Sequence, residues 1–216
     1  MRAWVEGIGV LGPGLRGWPM SRAALAGGEA LPAEPVTIPA SDWLPPAERR
    51  RTGAAVRVAL AVGREACEHA QRDPRTLATV FTSSGGDGDN QHAICEVLAS
   101  EARELSPTRF HNSVHNAPAG YWGVATGAME SSTTLCAYDW SFAAGLIEAL
   151  AWLTMERQPV LLIAYDTPYP EPMNAVRPVA AVFGVAFVFT PERTARSLAM
   201  LDARLAREAP AESLPA

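Results

Sequence analysis

The stretch from Phe110 to Trp152, FHNSVHNAPAGYWGVATGAMESSTTLCAYDWSFAAGLIEALAW, constrains the rest of the chain more than any other. It reads as a loop, a helix, a link, a strand, a sharp corner and a second helix. The first helix covers Ala117–Ala125, where Ala117, Ala119, Gly120, Gly123 and Ala125 leave room for close packing. Ser131–Tyr138 is rich in Thr and apolar residues, which predicts a strand. Phe142–Leu153 has apolar residues at helical spacing. Asp139-Trp140-Ser141 is therefore the strand-to-helix corner. Such a corner lifts one side chain over a helix N-terminus, a place suited to negative charge and, in enzymes, to a nucleophile. Here that residue is Asp139.

Elements of both kinds alternate on either side of this stretch. Ala3–Val10 predicts a strand and Met20–Ala26 a short helix ended by Gly27-Gly28. Leu31–Pro46 is Pro-rich and irregular, and Ala47–Ala70 predicts one long helix with an apolar face. Leu77–Ser83, Pro159–Tyr165 and Val179–Thr190 predict strands, and Gln91–Ala102 a helix. The uninterrupted apolar run of Pro159–Tyr165 is typical of a strand buried on both faces. Ala195–Arg207 fits a last strand or a last helix equally. The order implies an α/β protein with about five strands, mostly parallel, and helices on both faces.

Several other motifs carry less. Gly7, Gly9 and Gly12 match a dinucleotide fingerprint in spacing, but Pro13-Gly14 stands where a helix must open. Asp87 and Asp89 open like a calcium loop, yet Leu98 stands where the loop needs its bidentate Glu. His111 and His115 lack an obvious third metal ligand. No metal or cofactor is expected. The three cysteines lie far apart without a CxxC pair, as in a protein whose thiols stay reduced. Cys136 is expected inside its strand, pointing into the sheet. Net charge is −5 and every basic side chain is Arg, so no nucleic-acid partner is suggested. No signal peptide and no membrane-spanning apolar run is evident, and the expected location is the cytoplasm.

The central stretch resembles the nucleophile region of β-ketoacyl synthases, which have the thiolase fold. The matching residues are Asn116, Ala119-Gly120, Gly127 and Glu148-Ala149. Counting from either side places the family's nucleophilic Cys at Asp139. Ser141-Phe142-Ala143-Ala144-Gly145 is similar to the run found in chain length factor-type relatives, which also carry an acid at the corner. The resemblance implies half of a thiolase-like fold over residues 1–192 and a C-terminal extension, 193–216, whose end at Glu208–Ala216 is expected to be disordered. Nothing after Thr190 matches the family's two malonyl-activating histidines.

By the same resemblance, the chain is a silent partner that forms a heterodimer with an active β-ketoacyl synthase and meets the acyl carrier protein only indirectly. A homodimer is the expectation in isolation. Aryl-polyene or xanthomonadin-type biosynthesis is the implied setting. Phe110, His111, Val114, His115 and Trp122 match the family's segment facing the partner's acyl tunnel, while Phe110 and Trp122 are equally readable as core. A second reading, from the residues, is an independent acyl-thioester decarboxylase or hydrolase using Asp139 or Cys136. Against a chemical role, Asp139 reads as a helix cap.

Overall fold

The structure is a computed structural model and describes residues 1–27 and 34–206. Its strands are β1 (Arg2–Gly12), β2 (Leu15–Arg16), β3 (Ala78–Thr82), β4 (Ser132–Leu135), β5 (Val160–Asp166), β6 (Phe183–Thr190) and β7 (Ala199–Asp202). Its helices are α1 (Trp18–Leu25), α2 (Pro46–Arg49), α3 (Ala54–Ala70), α4 (Gly88–Ala99), α5 (Pro107–His111), α6 (Ala117–Thr126), α7 (Ser141–Glu156) and α8 (Met173–Val176).

The strands form a single sheet in the order β2-β1-β6-β5-β3-β4, with β7 also paired to β1. The α/β layering is as expected, but the sheet has seven strands and its pairing is mixed. Among the described residues, only β3–β4 and β3–β5 are parallel pairs. The β1–β2, β1–β6, β1–β7 and β5–β6 pairs are antiparallel. The connections explain this. A parallel neighbour needs a covering crossover, which α4–α6 supply between β3 and β4 and α7 supplies between β4 and β5. The β5–β6 link carries only the single turn of α8, and the chain folds straight back. Thus β1, β3, β4 and β5 run one way, and β6 lies between β1 and β5 against both.

Helix α3 covers β1, β6 and β5 on one face, and α7 covers β5 and β3 on the other. Strand β5 is buried on both faces, as its apolar run implied. Leu161 and Ile163 join the α3-side core, and Val160 and Leu162 the α7-side core. The glycines of β1 set the first contact: a Cβ on Gly7 would lie 2.1 Å from the Ala66 carbonyl oxygen, and one on Gly9 2.1 Å from that of Val62. Their spacing therefore serves helix–sheet approach, and β1 continues through a turn into β2 rather than into a helix.

The single helix expected over Ala47–Ala70 is two. α2 ends at Arg49, and α3 starts after Gly53, whose extended backbone supplies the N-cap. At the other end of the sequence, the undecided segment forms β7 on β1. Thr194 and Arg72 hydrogen-bond the fully buried Glu6 carboxylate, so residues 194–202 are tied to the sheet. The expected disordered tail, Glu208–Ala216, lies outside the described residues, as does 28–33. Among the described residues no helix is long and apolar enough to cross a membrane.

Candidate functional site

Strand β4 stops at Leu135, and Tyr138–Trp140 form a 3-10 turn that leads directly into α7. Tyr138 has φ +54°, a left-handed conformation that costs a residue with a side chain ~1–3 kcal/mol. Ser141 compensates. Its hydroxyl accepts the Ala137 N–H at 2.9 Å and donates to the Tyr138 carbonyl at 2.7 Å. The Thr82 hydroxyl donates to the Ser141 carbonyl at 2.7 Å, which seats the turn on the end of β3. Gly145 lets the first turns of α7 lie against Thr82, where a Cβ would meet its methyl group at 2.7 Å.

Asp139 thus stands at the corner where the sequence places it, immediately before α7. It does not cap the helix: no side chain does so. Its carboxylate, 70% exposed, instead lies 3.0 Å from the Arg177 guanidinium. Arg177 also stacks 3.4 Å above the Tyr138 ring. Burial works against its charge, and the neighbouring Asp139, Tyr138 and Tyr169 side chains outweigh that cost, holding the guanidinium above its ordinary value. Tyr138, Asp139 and Arg177, with Ser84 and Asp166, line an open cavity of about 520 Å³. Asp166 accepts from the Ser84 N–H at 2.9 Å and from the Ser83 and Ser84 hydroxyls at 3.2 and 2.8 Å.

Cys136 corrects an expectation. It lies one residue beyond β4 and is exposed rather than turned into the sheet, with its S–H donating to the Ser84 carbonyl at 3.1 Å. The strand ends sooner than the sequence pattern implied, so the thiol escapes the pleat. Cys67 is the buried one, and burial pushes its thiol up to about 12. Asp87 caps α4, accepting the Asn90 N–H at 3.0 Å.

The five residues matched to the tunnel segment separate. Phe110, His111 and Val114 line an open groove of about 670 Å³ together with Pro107, Tyr121 and Val124. Phe110 is 67% exposed. His111 sits edge-on to Tyr121, with ring centroids 6.2 Å apart. His115 turns away from this groove to the glycine-rich turn at Gly86. Trp122 is only 2% exposed and packs among Trp43, Phe81 and Gly63, so it belongs to the core. A buried relay missed from the sequence fixes the groove: Tyr121 donates to Asn112 at 3.0 Å, and Asn112 donates to the Arg51 carbonyl at 2.7 Å. Arg177 was also missed. The only sequence signal for it was the Pro-rich character of its loop.

Chemically, the corner has the geometry of a nucleophile elbow without a thiol on it. A carboxylate cannot hold an acyl chain as a thioester, and this one is already paired with a cation.

The family described as beta-ketoacyl synthase, N-terminal domain, matches residues 21–213. A ketosynthase (ApeO) in complex with its chain length factor (ApeC), from Xenorhabdus doucetiae, is similar with a TM-score of 0.75 and 25% identity. That match covers 89% of this chain and 80% of the other. The ishigamide ketosynthase/chain length factor gives a TM-score of 0.70 at 12% identity, covering 88% of this chain and 62% of that one. A β-ketoacyl synthase from Burkholderia phymatum STM815 gives 0.68 at 16%, covering 88% and 59%. The last two likenesses are of fold, and this chain spans less than two thirds of their length. No curated protein matches the chain in sequence.

Proposed function

This chain belongs to the β-ketoacyl synthase N-terminal domain family, and from that premise we propose that it is a catalytically silent chain length factor. It pairs with an active β-ketoacyl synthase and shapes that enzyme's acyl tunnel in fatty-acid or polyketide-type biosynthesis, of the aryl-polyene kind. The observation that carries this reading is the ion-paired Asp139 at the nucleophile corner. Two features support it. Strand β4 is the last of the sheet, and its outer edge is unpaired among the described residues, which suits it to an interface. The groove beside α5 and α6 sets the apolar bulk of Phe110, Val114 and Val124 among polar groups from Glu48, His111, Asn116 and Tyr121, a mixture a ligand-facing wall can have. The acyl carrier protein then delivers its cargo to the synthase, and in isolation the same edge pairs with a second copy.

Co-expression with a co-encoded synthase, followed by purification, tests the pairing. The expected result is a stable complex with equal amounts of both chains. Incubation with acyl and malonyl carrier-protein substrates, read by intact mass, is expected to leave this chain unmodified. The alternative, an independent acyl-thioester hydrolase or decarboxylase, has the exposed Cys136 thiol in its favour. An acyl adduct mapped to Cys136, or turnover by the isolated chain, would replace the silent-subunit reading with that one.

A further inference from the structure

Loss of a thiol at the corner needs no more than a side chain unable to attack. An acid aimed at an arginine goes beyond that. Arg177 stands just past α8, in the 167–182 segment between β5 and β6. Val176 to Val179 of that segment form one wall of the 520 Å³ cavity, and Tyr138 and Asp139 belong to the wall that Arg177 reaches.

One guanidinium joins them. It meets the Asp139 carboxylate at 3.0 Å and the Tyr138 ring at 3.4 Å. It is also mostly withdrawn from water, at 19% side-chain exposure. Thr167 and Tyr169 are buried at the start of the segment, whereas Val176 beside Arg177 is among the most exposed apolar residues described, so packing does little to hold that later part of the loop. Tyr138 is left-handed, and its ring and its neighbour's carboxylate both meet the same cation.

We infer that Asp139 is a positioning residue: through Arg177 its carboxylate latches the 167–182 segment against the corner and fixes the mouth of the cavity. An exposed ion pair alone is a weak restraint. Here the cation is stacked and partly buried, so the contacts with Asp139 and Tyr138 act together, and loss of the charge loosens both. The inference rests on Asp139 being a non-reacting residue, as proposed above.

Hydrogen exchange on the full chain, bound to its synthase where the complex forms, tests the latch. Asp139→Asn and Arg177→Gln are each expected to speed amide exchange across 167–182 by about 3–10-fold, with thermal stability nearly unchanged. The double variant is expected to go no further than either single one, since both break the same link. Asp139→Glu, which keeps the charge, is expected to stay within about twofold of the parent protein. Unchanged exchange in the single variants, additive effects in the double variant, or a Glu variant as loose as the Asn variant would each overturn the inference. An acyl adduct on Asp139, read by intact mass, would sink the non-reacting premise separately, whatever the exchange data show.

Discussion

The seam between α3 and β1 and the corner between β4 and α7 are both strand–helix contacts, yet they are built on opposite terms. At the seam, Gly7 and Gly9 bring the strand so close that α3 carbonyls occupy the space of a side chain. Ala55, Val58, Ala59, Val62 and Ala66 are buried along it. At the corner, Tyr138, Trp140 and Phe142 are exposed, as are Phe110, Val114, Val124 and Met129 in the chain leading up to it. One region spends its apolar surface within the chain. The other leaves large apolar side chains outward along the corner and the chain before it. The difference teaches that a strand–helix contact can close the core completely, as at the seam, or hold its elements together while leaving large apolar side chains outward, as at the corner.

The sharpest way to break that comparison is Trp122→Ala. Because Trp122 is core, its loss is expected to cost about 3–5 kcal/mol. Chemical denaturation of the purified variant measures it. A well-folded variant with altered product length would move Trp122 to the presented side. Next comes Gly9→Ala, where the new methyl meets a carbonyl rather than a movable side chain. A loss of about 1–3 kcal/mol is expected, measured in the same way. A neutral result would show that the seam has slack.

Phe110→Ala should do the reverse. Its exposure predicts a stability change within about 0.5 kcal/mol, well below the cost of truncating a buried Phe. In the heterodimer it is expected to lengthen the product while synthase activity persists. Product lengths unchanged for both Phe110 and Val114 variants would leave the groove with a scaffolding role.

The smallest effect is electrostatic and lies in the seam. Burial raises the Glu65 carboxyl above its ordinary value, although the Trp18 and Val10 N–H groups donating to it pull the other way. An acid raised by folding favours the protonated fold. Its contribution is therefore fully present below the unfolded value and is lost as pH rises through the folded one. The melting temperature of the parent protein relative to Glu65→Gln should accordingly be highest near pH ~4 and fall toward pH ~7. A gap that stays constant would show that the seam tolerates the charge freely.

Much of the scaffold was legible because it rests on local pattern. The apolar run of β5, the two helices around the corner and the position of Asp139 follow from composition and spacing within a short window. Cys136 shows the limit of that approach: ending β4 at Leu135 moved the thiol from the pleat to the surface. Strand order is not a local property. Nothing near Val179–Thr190 says that β6 inserts between β1 and β5. The separation of Phe110 from Trp122 depends on which side of α6 meets α3, a matter of tertiary packing. The Asp139–Arg177 pair was hidden for the same reason: Asp139 was placed by its own stretch, but its partner comes from a different connection and no local signal joins the two.

The free edge of β4 also bears on how much of the chain a cell can safely hold. Four residues, Ser132-Thr133-Thr134-Leu135, offer a short ladder with hydroxyl-bearing side chains. So brief an edge gives little affinity by itself, and a true partner must add contacts beyond it. It is nevertheless open to any extended segment that drifts past while the chain waits. Under the proposed pairing, supply then becomes part of the design: copies made in excess of a partner would face mispairing, precipitation or proteolysis, so balanced synthesis of the two chains would protect yield as much as it sets stoichiometry.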